Sequence, residues 1–214
     1  EERDSFILSK GHGALGYYAA MHQLGIITDD QFGSFESNGG EFPGQPSRSS
    51  SNHVEYSGGS LGMGLSYGLG VAIGKRDKNG TVYVIVGDGE LNEGSNWEAV
   101  ALAAKYNLDN LVVIVDNNSM QSDGKCDEIV GQDLKSLWTA YGWQVEECDG
   151  HSIFDLQDKI NNNHDNKPLV LIAHTIKGKG VSFMENQVGW HGKAPNDEEF
   201  KLAMEELERT GAAL

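Results

Sequence analysis

Residues 81–118 read TVYVIVGDGELNEGSNWEAVALAAKYNLDNLVVIVDNN, and no other stretch limits the possible folds as tightly. Residues 81–86 are a β-branched run without charge, which fits a strand buried on both faces. Gly87-Asp88-Gly89 ends the run in a turn whose glycines permit close backbone approach. Residues 90–106 then carry Trp97, Val100, Ala101 and Ala104 at helical spacing, with Asn92 or Ser95 placed to cap the helix. Residues 111–115 form a second apolar strand that ends at Asp116-Asn117-Asn118. Strand, helix and strand make a βαβ unit, so the two strands are expected to be parallel neighbours joined by a right-handed crossover. Asp88 and Asn118 then meet at the carboxyl edge of the sheet, where open α/β sheets bind ligands.

The remaining chain repeats this alternation. Strands are expected over 6–9, 143–148 and 168–174, and helices over 14–24, 28–35, 132–141, 153–162 and 197–209. Thr28 stands ahead of Asp29, Asp30 and Gln31 as a capping signal. Residues 36–56 are rich in Ser, Gly, Asn and Pro and read as a long irregular segment of the functional or mobile kind. Residues 119–131 read as a polar loop, 163–167 as a polar break, and 177–195 as a long loop opened by Lys177-Gly178-Lys179-Gly180. The helix ending near Lys75 contains Gly64, Gly68, Gly70 and Gly74; each interior glycine costs about 1 kcal/mol, so something is expected to pack on its bare backbone. Strands alternating with helices indicate an α/β fold with a mostly parallel central sheet.

Composition narrows the function. With 214 residues the chain can bury a full core, and a net charge of −16 argues against unaided binding to nucleic acid or anionic membranes. Cys126 and Cys148 form no CxxC pair, which disfavours a disulfide framework or a cysteine zinc site. No apolar run reaches membrane-spanning length and no signal peptide is visible, so a cytoplasmic location is the default expectation. The opening EERDSFILSKGHG has no Met and no helix before its first apolar run, so further residues are expected upstream.

Asp88 with Asn118 is the sharpest chemical constellation. A hard cation such as Mg²⁺ takes oxygen ligands and usually shares them with phosphate oxygens. An Asp and an Asn at adjacent strand ends supply two, and a loop carbonyl near Met120 a third. Gly87 and Gly89 let backbone N–H groups reach a phosphate at the start of the following helix. An isolated GDG is an ordinary turn; GDG followed about thirty residues later by a strand ending in Asn-Asn is far more specific.

That pairing resembles the thiamine diphosphate-binding motif, used with Mg²⁺ or Ca²⁺. SKGHG at 9–13, GSLGMG at 59–64, GDGELNEG at 87–94, KGKG at 177–180 and GWHGKAP at 189–195 together resemble the amino-terminal section of transketolase, over nearly the whole chain. The resemblance implies a three-layer thiamine diphosphate-binding fold over 1–214, lacking its extreme amino-terminal segment. It implies transfer of a two-carbon ketol unit from a ketose to an aldose, as in pentose phosphate metabolism. It further implies metal ligands Asp88, Asn118 and the Met120 carbonyl; cofactor contacts at His12, Gly59, Leu61, Gly87, Gly89, Glu90 and His191; catalytic roles for His12 and His191; and substrate contacts at His12 and Gln45. The resemblance leaves the pyrimidine-binding section unaccounted for, which suits either a split enzyme with that section on a partner chain, expected in an α2β2 assembly acting on sugar phosphates, or a truncated single-chain protein.

The residues weigh these roles unequally. His12 lies between glycines at a strand end, a place core histidines rarely occupy, which favours function. His191 follows Trp190 in a glycine-flanked loop, where surface and site readings are equal without the resemblance. His53, His151 and His164 read as surface residues, His174 as a structural hydrogen-bonder, and His22 receives no role. Lys177 and Lys179 suit phosphate and an exposed basic loop equally, while Glu90 and Glu93 read better as helix N-terminal charges than as ligands. Gln45 stands where the family pattern Pro-Gly-His-Pro has histidine; it can hydrogen-bond a hydroxyl but cannot shuttle a proton, so an altered donor or acceptor sugar is expected. The rival readings are a deoxyxylulose-phosphate synthase, the α-chain of a 2-oxoacid dehydrogenase E1, and a catalytically silent cofactor-binding subunit.

Overall fold

The computed structural model describes residues 3–49, 51–162 and 166–211. Five parallel strands form one sheet: β1 (Ser5–Leu8), β2 (Val82–Gly87), β3 (Leu111–Asn117), β6 (Gln144–Asp149) and β7 (Leu169–His174), in the order β1-β2-β3-β7-β6. β2 and β3 are parallel neighbours, as the βαβ pattern requires. The chain walks outward from β1 to β3, skips one place to β6, and returns to β7. That reversal of winding between β3 and β7 opens a crevice at the carboxyl edge, and it decides which helix covers which face.

One face is covered by α3 (Met63–Gly74), α4 (Gly94–Tyr106) and α6 (Leu134–Ala140). Leu65, Leu69, Val100, Ala103 and Trp138 pack there against Val82, Val84, Val86, Val113 and Val115, the main core. α7 (Ile153–Asn161), on the returning crossover, covers the opposite face, with Leu156 and Ile160 against Leu171 and Ala173. α1 (Ala14–Gln23) and the short α2 (Asp29–Gly33) build a satellite cluster with Phe42 and Val54. Tyr17 of α1 meets Phe6 of β1, ring centroids 5.0 Å apart. Between these two covers, Tyr83 and Ile85 remain only half-buried, so β2 is not sealed on both faces as its composition suggested.

The glycine-rich α3 divides in two. A Cβ on Gly64 would run into Ser9, and one on Gly68 into Val84, so close approach to the sheet requires glycine there. Gly70 and Gly74 meet nothing within 4 Å, and the packing expected over them is not made by the described residues.

Other expectations shift by tertiary partners. The helix expected from residue 90 begins as a 3₁₀ turn at Gly89–Asn92, and α4 starts at Gly94. Neither Asn92 nor Ser95 caps it: Asn92 Nδ2 donates to Gln121 Oε1 at 3.0 Å, and Ser95 Oγ donates to the Gly62 carbonyl at 3.0 Å. The polar loop at 119–131 contains a hairpin of β4 (Met120–Gln121) and β5 (Gly124–Lys125) followed by α5 (Cys126–Ile129). The irregular 36–56 segment is anchored by buried Phe42 and Val54 and by the Tyr18 hydroxyl, which donates to the Pro43 carbonyl at 3.1 Å. The terminal helix α8 occupies Asp197–Arg209 as expected, with a capping box from Asn196 and Glu199. No helix among the described residues is long and apolar enough to cross a membrane.

Candidate active site

The carboxyl ends of the strands enclose a cleft of about 680 Å³. β1 delivers Lys10 and His12, β2 delivers Gly87, Asp88, Gly89 and Glu90, and β3 delivers Asp116, Asn118 and Met120. Beyond β6 and β7 come Gly150, His151, Thr175 and Lys177, and the long arm after β7 folds back to add His191. A second hollow of about 730 Å³ lies on the other side of Asp88, among Lys125, Lys135, Glu147 and His174. It lacks the glycine turns, both of the paired histidines, and Asn118.

Asp88 is 7% exposed. Its Oδ1 accepts the Gly89 N–H at 2.8 Å and its Oδ2 accepts the Ser119 N–H at 2.5 Å. Burial pushes its carboxyl above the usual range against the pull of these two N–H groups. No ion pair among the described residues reaches it. Asn118 Oδ1 accepts the Met120 N–H at 3.0 Å, which fixes the amide oxygen beside the strand end. A desolvated carboxylate without a cation, an oriented amide oxygen and a nearby carbonyl form an oxygen donor set suited to a hard divalent ion. No group of three His, Cys, Asp or Glu side chains able to hold a metal occurs among the described residues. Such an ion would therefore need phosphate or water oxygens to complete its shell, which fits a metal that arrives with a diphosphate.

Asp116, opposite Gly87 in the ladder, is built differently. It is paired to the Lys10 ammonium and accepts the Thr175 hydroxyl. Burial alone would raise its carboxyl; the Lys10 charge and the Lys10, Thr175 and Asn118 hydrogen bonds outweigh that and hold it low.

The rings of His12 and His191 lie 5.4 Å apart, tilted by 49°. Burial, then the neighbouring Lys10, His191 and Lys177, push His12 down to about 4. His191 is lowered by burial and by Lys177 and Lys10, and Lys177 is lowered by burial and by Lys10. Two neutral imidazoles thus stand beside two ammonium groups on one side of the cleft, an arrangement able to bind anionic oxygen and exchange protons. The arm carrying His191 is fastened from outside. Trp190 Nε1 donates to the Phe183 carbonyl at 3.0 Å, the Lys193 ammonium sits 4.0 Å over the Trp190 ring, and Glu206 of α8 accepts the Ser182 N–H and hydroxyl at 2.5 and 2.7 Å.

The structure brings His12, Leu61, Gly87, Asp88, Gly89, Glu90, Asn118, Met120 and His191 to one cleft. Gly59 and Gln45 stand at its margin: Gln45 packs along Gly59, and its amide oxygen occupies the space a Cβ on Gly11 would take. The Glu90 carboxylate is 3% exposed and turned toward internal donors. His174 has the structural role expected, between Asn117 Nδ2 at 3.2 Å and Glu147 Oε2 at 3.0 Å. His22 pairs with Asp29 at 2.7 Å and stacks on Phe32. His53 is exposed, Lys179 lies outside the cleft, and His164 falls outside the described residues. His151 is exposed yet lines the cleft, and its Nε2 accepts the Ile176 N–H at 2.8 Å. The surface reading missed this; the signal for it was its position after Asp149-Gly150, at the end of the β6 run.

Comparison with known proteins agrees with this geometry. The family "Transketolase, thiamine diphosphate binding domain" matches residues 1–210. A subunit of the apulose-4-phosphate transketolase from Actinobacillus succinogenes is 44% identical over 211 residues, covering 96% of this chain and 76% of that protein. The 6-deoxy-6-sulfo-D-fructose transketolase subunit SqwG from a Clostridium species is 35% identical over 216 residues, covering 99% and 78%. The crystal structure of transketolase from Campylobacter jejuni superposes with a TM-score of 0.90 at 27% identity, over 98% of this chain and 34% of that one.

Proposed function

The chain belongs to the transketolase family through its thiamine diphosphate-binding domain, and from that premise we propose that it is the diphosphate-binding subunit of a split, cytoplasmic transketolase. Its reaction is transfer of a two-carbon ketol unit between sugar phosphates, and the pyrimidine-binding section comes from a partner chain in an α2β2 assembly. Relatives that are themselves named as transketolase subunits, matched over most of their own length, support the split arrangement. The observation that carries the reading is Asp88: a buried carboxylate with no counter-ion among the described residues, beside Asn118 and the Gly87–Gly89 turn.

In this reading Asp88, Asn118 and the Met120 carbonyl would hold Mg²⁺ or Ca²⁺, and the diphosphate would lie against the turn at Gly89. Gly59 and Leu61 would meet the cofactor's ring. The bound cofactor supplies an electron sink for cleavage of the donor ketose. His12 and His191 handle protons at the substrate oxygens. With His12 pushed down to about 4, its imidazole stays a neutral acceptor at physiological pH. The sign for stability follows: the unfolded histidine takes a proton near 6.5 and the folded one only near 4, so the contribution is complete above 6.5 and is lost as pH falls toward 4. Gln45 hydrogen-bonds a substrate hydroxyl from the margin without moving a proton, which bears on the choice of sugar.

The experiment is calorimetric titration of thiamine diphosphate into the assembled protein with Mg²⁺, with EDTA, and in Asp88→Ala. Binding is expected only with the metal, and a loss of at least a hundredfold in the variant. Metal-independent binding unchanged in Asp88→Ala would falsify the assignment.

A further inference from the structure

Glu90 lies just beyond Asp88, is 3% exposed, and forms no ion pair among the described residues. Its Oε1 accepts the Ser9 hydroxyl at 2.5 Å and the Gly62 N–H at 2.9 Å, and its Oε2 accepts the Gly87 N–H at 3.1 Å. These donors come from three separate segments, Ser9 being 81 residues and Gly62 28 residues away along the chain. Each segment carries one wall of the cleft. Ser9 precedes Lys10 and His12, Gly62 follows Leu61, and Gly87 precedes Asp88. The knot is pinned from its far side too: Ser95 Oγ donates to the Gly62 carbonyl at 3.0 Å, Asn96 Nδ2 donates to the Glu90 carbonyl at 2.7 Å, and the Gly64 backbone abuts Ser9.

A carboxylate is the side chain that serves these donors. Both of its oxygens accept, and hydrogen bonds to an anion are roughly twice as strong as neutral ones. A glutamine would offer one acceptor oxygen and turn its NH₂ toward a backbone N–H. An unpaired buried charge is expensive, so its presence at the junction of three walls needs a return. The geometry points to Glu90 as a positioning residue: it sets the distance between the diphosphate end of the cleft, at Gly89 with Asp88 and Asn118, and the ring end, at Gly59 and Leu61. The inference rests on the function proposed above. It assigns Glu90 no contact with the cofactor, whose diphosphate anchors are held independently by the Ser119 and Met120 N–H groups.

The test separates the two ends with two probes on the assembled protein in Mg²⁺: thiamine diphosphate, which spans the cleft, and inorganic diphosphate, which occupies one end. In Glu90→Gln, affinity for thiamine diphosphate is expected to fall at least tenfold and affinity for inorganic diphosphate less than threefold. Ser9→Ala, which removes one of the three bonds, should shift the same ratio about threefold, and it carries the test should Glu90→Gln not fold. Equal losses with both probes would mark Glu90 as a general structural element and overturn the positioning role, as would unchanged thiamine diphosphate binding in both variants. A wild-type protein that binds inorganic diphosphate with Mg²⁺ but not thiamine diphosphate would overturn the proposed function beneath it.

Discussion

Asp88 and Asp116 end neighbouring parallel strands, and both are largely buried, yet they are wired in opposite ways. Asp116 is balanced within the chain by the Lys10 ammonium and the Thr175 hydroxyl, and its carboxyl is held low. Among the described residues Asp88 meets the backbone N–H donors of Gly89 and Ser119 and the Cys126 thiol, and burial pushes its carboxyl up. The first joins β1, β3 and β7 across the top of β2. The second keeps an unbalanced charge where a ligand can meet it. Two residues of one type, one register step apart, therefore divide into a brace and a receptor according to what their long-range neighbours supply.

Removing the brace should have the larger effect on stability. Asp116→Ala strands the Lys10 ammonium, 14% exposed, without its partner, and the loss expected is about 3 kcal/mol in urea unfolding. Asp88→Ala leaves no stranded cation among the described residues but takes the acceptor from the Gly89 and Ser119 N–H groups, and should cost less, about 2 kcal/mol in the same assay. Equal losses would erase the distinction.

A finer test is pH. The lowered Asp116 contributes stability above its unfolded value of 3.8, and that contribution disappears as pH falls through the folded value. The raised Asp88 has the opposite sign: the native state holds its proton more tightly than the unfolded chain, and the advantage is withdrawn as pH rises through the raised value. In EDTA at neutral pH, Asp88→Asn should therefore raise the melting temperature and Asp116→Asn lower it, with the gap closing in acid. Shifts of the same sign would contradict the two wirings. The smallest effect belongs to Thr175→Val, which removes one hydrogen bond from Asp116 and should cost about 1 kcal/mol while changing cofactor affinity less than threefold.

Local chemistry made much of this legible in the sequence. The βαβ unit, the Thr28 capping box, the bounds of α8 and the meeting of Asp88 with Asn118 all rest on residues close together in the chain or on strand ends with a fixed direction. What escaped depends on partners far away. Asn92 and Ser95 have the chemistry of helix caps, but tertiary partners take their side chains. Nothing local marks Lys10, because its counter-ion Asp116 lies 106 positions later. Glu90 looks like a helix N-terminal charge because nothing in GDGELNEG reveals that Ser9 and Gly62 converge on it. β2 carries the composition of a doubly covered strand, but cover on its second face depends on where α1 and α7 land, which the strand itself does not encode.

The fastening of the His191 arm to α8 has a consequence for how the molecule opens. The contacts that hold the arm, Glu206 on Ser182 and Lys193 over Trp190, lie at the surface, and Ala203 is the one buried residue of α8. Little apolar area is exposed when such a layer lifts, so its opening free energy lies well below that of global unfolding. Amide exchange along 177–191 should therefore run ahead of the sheet's. The strand ends that bear Asp88 and Asn118 belong to the sheet, whose exchange is expected to be the slowest in the molecule.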